Sequence, residues 1–215
     1  MDLFSQEPEL SSLSYEEIEK VAQKCTRCPL HQNRNKVVFG HGPVPCELML
    51  IGEAPGAEED LQGLPFVGRA GQLLTQILAS IQIRRPEDIY ITNTVKCRPP
   101  GNRAPTSSEQ EACAPYLEAQ IRLVQPKIIL LAGSPAVKAV LKTDESMTKI
   151  RGQWFKLPGT EISVMPIFHP AYLLRNPSKA KGSPKWLTWQ DMQEVRNALE
   201  YLHKVAELSK ESEDG

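Results

Sequence analysis

Four of the five cysteines fall where they could grip a metal. Cys25 and Cys28 form a C-x-x-C pair in CTRCPL, Cys97 lies in VKCRPP and Cys113 in EACAP. A lone C-x-x-C pair suits redox chemistry, zinc or coincidence. With two further thiols the set fits either a structural zinc or an iron–sulfur cluster, and spacing does not separate the two. The long gap from Cys28 to Cys97 is unlike a compact zinc ribbon, and a site built across it would tie an N-terminal arm to a loop in mid-chain. Cys46, immediately before an apolar run, reads as a small buried residue. Other chemistry-bearing types gather in three segments: GEAPG at 52–56, NTVKCRPPGNR at 93–103 and HPAYLLRNP at 169–177. These offer a carboxylate, an amide and an imidazole.

Each of the three segments follows an apolar run of strand length. The runs are ELMLIG (47–52), DIYITNTV (88–95), KIILLAG (127–133) and ISVMPIFH (162–169). Helical patterns separate them. Leu73, Leu74, Ile77, Leu78 and Ile81 make one stripe over 69–81, and Ser134 to Leu141 follows the third run directly. Thr106 and Glu109 form a capping box for a helix toward Gln125, which Pro115 should kink or delay. Ser14 and Glu17 form another, for a helix ending near Cys25, and Trp186 to Leu208 reads as a long C-terminal helix. Strands alternating with helices imply a three-layer αβα fold around a central, mostly parallel, four-stranded sheet. In such folds the working residues lie at the carboxyl ends of the strands. No repeat or composition break divides residues 1–215, so a single domain with a core at about 20–207 is expected.

A hydrophobic content of 40%, a charged content of 24% and no span-length apolar run fit an intracellular globular protein. The net charge of −1 hides an uneven distribution. No carboxylate lies between Asp88 and Glu109, where Lys96, Arg98 and Arg103 stand. None lies between Glu161 and Asp191, where Arg175, Lys179, Lys181 and Lys185 stand. The two stretches could form one positive face for nucleic acid, or simply be two solvated loops.

GEAPGAEEDLQGLPFVGRAGQLL (52–74), TNTVKCRPPGNRAP (92–105) and HPAYLLRNP, in that order and with the four cysteines, resemble the family 4 uracil-DNA glycosylases over roughly residues 20–200. The resemblance implies a uracil-DNA glycosylase-like fold and a [4Fe–4S] cluster on Cys25, Cys28, Cys97 and Cys113. It also implies that uracil is flipped from DNA and its N-glycosidic bond hydrolysed in base excision repair. Phe66 would stack on the flipped ring. Asn93 would donate to uracil O4 and accept from N3–H, and His169 would donate to O2, where charge collects in the transition state. Where the first glycosylase family has an aspartate supporting the catalytic water, Ala54 stands here, leaving Glu53 as the candidate. Glu59 would pack against the uracil 5-position, although Glu58, Glu59 and Asp60 by themselves read as a solvated acidic helix start. Backbone from Gly52 to Gly56 would line the pocket. By family analogy, Leu173, Leu174 and Arg175 would enter the minor groove and fill the hole left by the base. Asn102 and Arg103 could clamp flanking phosphates.

The cysteines and basic stretches alone would also permit a non-hydrolytic iron–sulfur DNA-binding module. A relative that traps the sugar covalently through its histidine is a second alternative. Such relatives resemble GEQPGD in the first motif and carry a basic insertion before the final cysteine, whereas this chain has GEAPGA and a short KCRPPGNR. The expected partner is uracil-containing DNA, single- or double-stranded, met by a monomer in the cytoplasm, at the nucleoid of a prokaryote.

Overall fold

The computed structural model describes residues 10–213, with side chains to Ser209. A short 3-10 turn leads into α1 (Tyr15–Gln23), whose N-terminus is closed by the expected box: Glu17 N–H donates to Ser14 Oγ at 3.3 Å and Ser14 N–H to Glu17 Oε2 at 2.8 Å. The chain then runs β1 (Leu48–Gly52), α2 (Ala57–Gln62), α3 (Arg69–Ala79), β2 (Tyr90–Asn93), α4 (Ser107–Val124), β3 (Ile128–Ala132) and α5 (Ser134–Leu141). It continues through α6 (Met147–Ile150), β4 (Phe155–Lys156), β5 (Ser163–Ile167), α7 (Pro170–Arg175) and α8 (Pro184–Glu213).

The sheet order is β2-β1-β3-β5-β4. The four expected runs are all strands, and β2, β1, β3 and β5 are mutually parallel. The fifth strand was not foreseen: β4 has two residues, too short for any alternation to show, and pairs antiparallel with β5 at the edge. Alternate side chains on β1 feed opposite layers. Leu48 and Leu50 join Leu74 and Leu78 of α3 and Met192 and Val195 of α8. Met49 and Ile51 join Leu117 and Val124 of α4 and Ala136 and Val137 of α5. A third apolar cluster, with Ile18, Leu30, Val37, Phe39, Cys97, Cys113 and Tyr116, seats α1 and the segment after it against α4.

Pro115 does not delay α4, which runs without a break from Ser107 to Val124. The carbonyl that Pro115 cannot serve belongs to Glu111, an exposed residue whose backbone water can reach. No helix among the described residues is long and apolar enough to cross a membrane.

Candidate active site and cysteine cavity

β1 has neighbours on both sides that continue in opposite directions along the sheet, which opens a crevice at the strands' carboxyl ends. Register brings the candidate residues together there. Gly52 pairs with Asn93, and Ala132 with Ile167, two residues before His169. A cleft of about 820 Å³ is lined by Glu53, Ala54, Gly56, Glu59, Phe66, Asn93, Asn102, His169 and Arg175, among others.

Asn93 is 2% exposed, and its Oδ1 is a buried acceptor with no hydrogen-bond donor among the described residues. Nearly all buried polar atoms in proteins are satisfied, so an orphan at the cleft marks a place for a donor from water or from a ligand. Phe66 and His169 flank the same space, with ring centroids 5.6 Å apart and planes tilted by 32°. Ala171 N–H donates to His169 Nδ1 at 3.1 Å. In the neutral ring this bond puts the proton on Nε2. Burial, helped by the Arg175 charge and opposed by Glu59, pulls His169 down to about 4, so the imidazole is neutral at physiological pH. Burial also raises the Glu53 carboxyl above its ordinary value. That carboxyl has no hydrogen-bond partner among the described residues and stands between the cleft and a second groove bordered by Ser107 and Lys138.

Of the acidic helix start only Glu58 is exposed. Asp60 is fully buried and accepts from Asn35 N–H and Lys36 N–H and from the Asn35 amide. Glu59 lines the cleft, but both its oxygens are engaged: Oε1 accepts from Val67 and Gly68 N–H at 2.9 and 3.0 Å, and Oε2 from Gly56 N–H at 3.1 Å. From the other side Arg85 donates to the carbonyls of Pro65 and Phe66, each at 2.9 Å, and to Thr75 Oγ1 at 3.1 Å. Glu59 and Arg85 together hold Phe66 in a left-handed conformation, φ 53°, uncommon for a bulky residue.

Several expected DNA contacts need revision. Leu173 is 1% exposed, on a helix that packs against α3, so of the two leucines expected as a wedge only Leu174, 40% exposed, stands at the surface. Arg103 is exposed but makes a bidentate pair with buried Glu109, at 2.7 and 2.8 Å. Arg98 donates to Asn102 Oδ1, and Lys96 is buried. Of the first acid-free stretch Lys96 is withdrawn and Arg103 is paired, leaving Arg98 with a neutral partner, whereas Arg175, Lys179 and Lys181 of the second are exposed. Ser134 and Pro135, after β3, and Ser146 to Thr148 also line the cleft. Sequence reading missed both groups. The strand-end position of Gly133-Ser134-Pro135 was an available signal; nothing marked 146–148.

All four candidate cysteines line one largely apolar cavity with Ala22, Val37, Ala112 and Tyr116. Cys97 and Cys113 are buried and Cys25 and Cys28 partly so. Cys46 is partly buried elsewhere, its Sγ donating to the Leu48 carbonyl. Arg34 donates to the Cys97 sulfur at 3.3 Å and to the Cys25 carbonyl at 2.8 Å. Burial raises the thiols of Cys28, Cys97 and Cys113, so thiolates here need positive charge alongside. No three His, Cys, Asp or Glu side chains among the described residues meet closely enough to hold a single ion.

The family model for the uracil DNA glycosylase superfamily matches residues 39–193. A type-4 uracil-DNA glycosylase of Thermotoga maritima is 50% identical over 157 residues, 73% of this chain and 81% of that protein. One of Sulfurisphaera tokodaii is 43% identical over 174 residues, 78% of this chain and 79% of that protein. A DNA polymerase of Bacillus phage SP01 is 32% identical over 142 residues, 66% of this chain but 15% of that protein. The chain belongs to the uracil-DNA glycosylase superfamily.

Proposed function

We propose that this protein is a uracil-DNA glycosylase of the type-4 kind, which binds uracil extruded from DNA in the cleft above β1 and β2 and hydrolyses its N-glycosidic bond. The observation that carries the reading is the orphaned Oδ1 of Asn93, a buried acceptor on a side chain that lines the cleft. With Oδ1 taking N3–H, the amide's Nδ2 donates to O4. This pairing is specific to uracil's edge. Phe66 supplies the stacking face. His169, neutral and with its proton on Nε2, donates to O2 and strengthens that bond as the leaving base becomes anionic. The Glu53 carboxylate, without a hydrogen-bond partner among the described residues, orients water toward the sugar C1′ and offsets the positive charge developing there. Glu59 acts through the backbone, holding the loop that carries Phe66. Leu174 fills the hole in the duplex, and Arg175 with Lys179 and Lys181 meets phosphates.

Cys25, Cys28, Cys97 and Cys113 are the residues that would hold a [4Fe–4S] cluster. The four thiols line one cavity, and four cysteines are the donor set of such a cluster. Hydrolysis moves no electrons, so the group would serve as a cross-link between the α1 arm, the loop after β2 and α4.

Release of free uracil from single-stranded uracil-DNA tests the reading, followed by denaturing electrophoresis for protein retained on the product. Free uracil with no retained protein is expected. Binding without release would make the chain a DNA-binding module, and retention would make it a covalent trap.

A further inference from the structure

Lys96 is a long cationic side chain that the reaction leaves unassigned. It is 2% exposed and lines the cavity of the four cysteines. Its ammonium donates to Thr92 Oγ1 at 2.7 Å and to the Asn93 carbonyl at 2.6 Å. The third N–H has no acceptor among the described residues, and no carboxylate there pairs with it. A buried ammonium with no counter-charge is strongly disfavoured. The cavity can supply one, because four thiolates outweigh the positive charge of an iron–sulfur core and leave a net negative group.

The other end of Lys96 is anchored with little slack. Thr92 Oγ1 donates onward to the Phe39 carbonyl at 2.7 Å, and Gln120 Nε2 donates to that carbonyl and to Tyr90 Oη, each at 2.8 Å. Tyr90 Oη lies 2.9 Å from Tyr15 Oη of α1. Thr92, Gln120 and Tyr90 are each held by their partners, and buried hydrogen-bonded chains of this kind are stiff, so a change at the ammonium bears on the backbone of Asn93.

We propose that Lys96 is a positioning residue with two ends: its ammonium is the buried counter-charge of the four cysteine thiolates, and its bond to the Asn93 carbonyl makes the aim of the base-reading amide depend on an occupied cavity. The inference rests on the proposed roles of Asn93 and the four cysteines. The cysteine-bound group then influences uracil hydrolysis through geometry, with no electron exchanged.

Lys96→Met removes the charge and both hydrogen bonds at similar volume, while Lys96→Gln keeps a neutral donor. Iron content, cluster midpoint potential and steady-state uracil release are measured on each and on the wild type, all purified anaerobically. Iron-loaded Lys96→Met should show a more negative potential, since the charge favouring an added electron is gone. Its kcat should fall about tenfold or more, with KM moving less. Lys96→Gln should recover part of kcat but not the potential. A folded Lys96→Met that binds no iron also supports the counter-charge. Wild-type potential and kcat in iron-loaded Lys96→Met overturn the proposal, and a shifted potential with unchanged kcat overturns its link to Asn93. Iron-free wild type overturns instead the cysteine assignment beneath it. Should neither variant fold, hydrogen exchange on wild type before and after chelator stripping decides. Thr94 and Val95, whose N–H groups donate to the carbonyls of Gly52 and Glu53, should lose protection before Leu50 and Leu130. Unchanged protection, or uniform loss across the sheet, overturns the link.

Discussion

Gly52 ends β1 at the point where the base-reading groups converge, and adding one methyl group there is a direct test of the site. A Cβ built on Gly52 would stand 2.4 Å from Asn93 Oδ1 and 2.7 Å from Phe66 Cζ. Relaxed heavy-atom contacts lie near about 3.5 Å, so both groups must retreat by about 1 Å. Misplacement on that scale typically costs on the order of 100-fold in rate. Gly52 lies outside the left-handed region, so alanine strains no backbone and, in a strand, is otherwise preferred by about 0.5–1 kcal/mol. Overpacking of about 1–3 kcal/mol opposes that gain, and the fold should survive. Gly52→Ala is therefore expected to melt within a few degrees of wild type while kcat/KM for uracil release falls about 100-fold, read by single-turnover assay on single-stranded uracil-DNA. A folded variant with kcat/KM close to wild type would refute the placement of uracil between Asn93 and Phe66.

Three further outcomes follow from the same geometry. Arg85→Ala removes two hydrogen bonds to the loop carrying Phe66 and one to Thr75 of α3; kcat/KM should drop about tenfold or more, with only part restored by Arg85→Lys, and an unchanged value would show that the loop needs no clamp. Asn93→Asp should lose most activity on uracil and gain a trace on cytosine in mismatched or single-stranded DNA, because a carboxylate accepts from cytosine N4 but cannot donate to uracil O4; full activity on uracil would remove Asn93 from base reading. Burial raises Glu53, so its active carboxylate is lost as pH falls through a value above the ordinary carboxyl range, while His169, held near 4, stays neutral over that interval. The kcat profile should show that acid limb in wild type and lack it in a slow Glu53→Gln, and an unaltered limb would place the titrating group elsewhere.

What could be read from the residues depended on whether pattern or neighbour decides the outcome. The parallel strands were legible because strands covered on both faces leave uninterrupted apolar runs, and α1 and α4 because their capping boxes are local. Asn93 and His169 were singled out through the resemblance of their segments to the glycosylase family; by type alone they read as a strand-end amide and an ordinary histidine, although both stand where strand ends converge. Charge was misleading: Lys96 and Arg103 look alike in an acid-free stretch, yet one is buried beside cysteines and the other is paired with Glu109. That difference is set by α4, which begins after both. Leu173 and Leu174 are adjacent and chemically identical, and only the packing of α7 on α3 buries the first and exposes the second. Arg85 carries no motif, since its partners are backbone carbonyls about twenty residues away, which side-chain identity does not record.

The cavity shared by Cys25, Cys28, Cys97 and Cys113 also constrains the order of assembly. Its first two walls are synthesised before β1, α2, α3 and β2, and its last belongs to the second turn of α4. Until residue 113 has left the ribosome and α4 has docked, Cys25 and Cys28 are thiols on an arm whose apolar partners, Tyr116 and Ala119, do not yet exist. Any group bridging all four must therefore be captured late, closing loops of many tens of residues whose entropic cost has by then been met by the pairing of β1 with β2. Truncation before α4 would leave a nascent chain able to pair strands but not to retain a four-cysteine ligand.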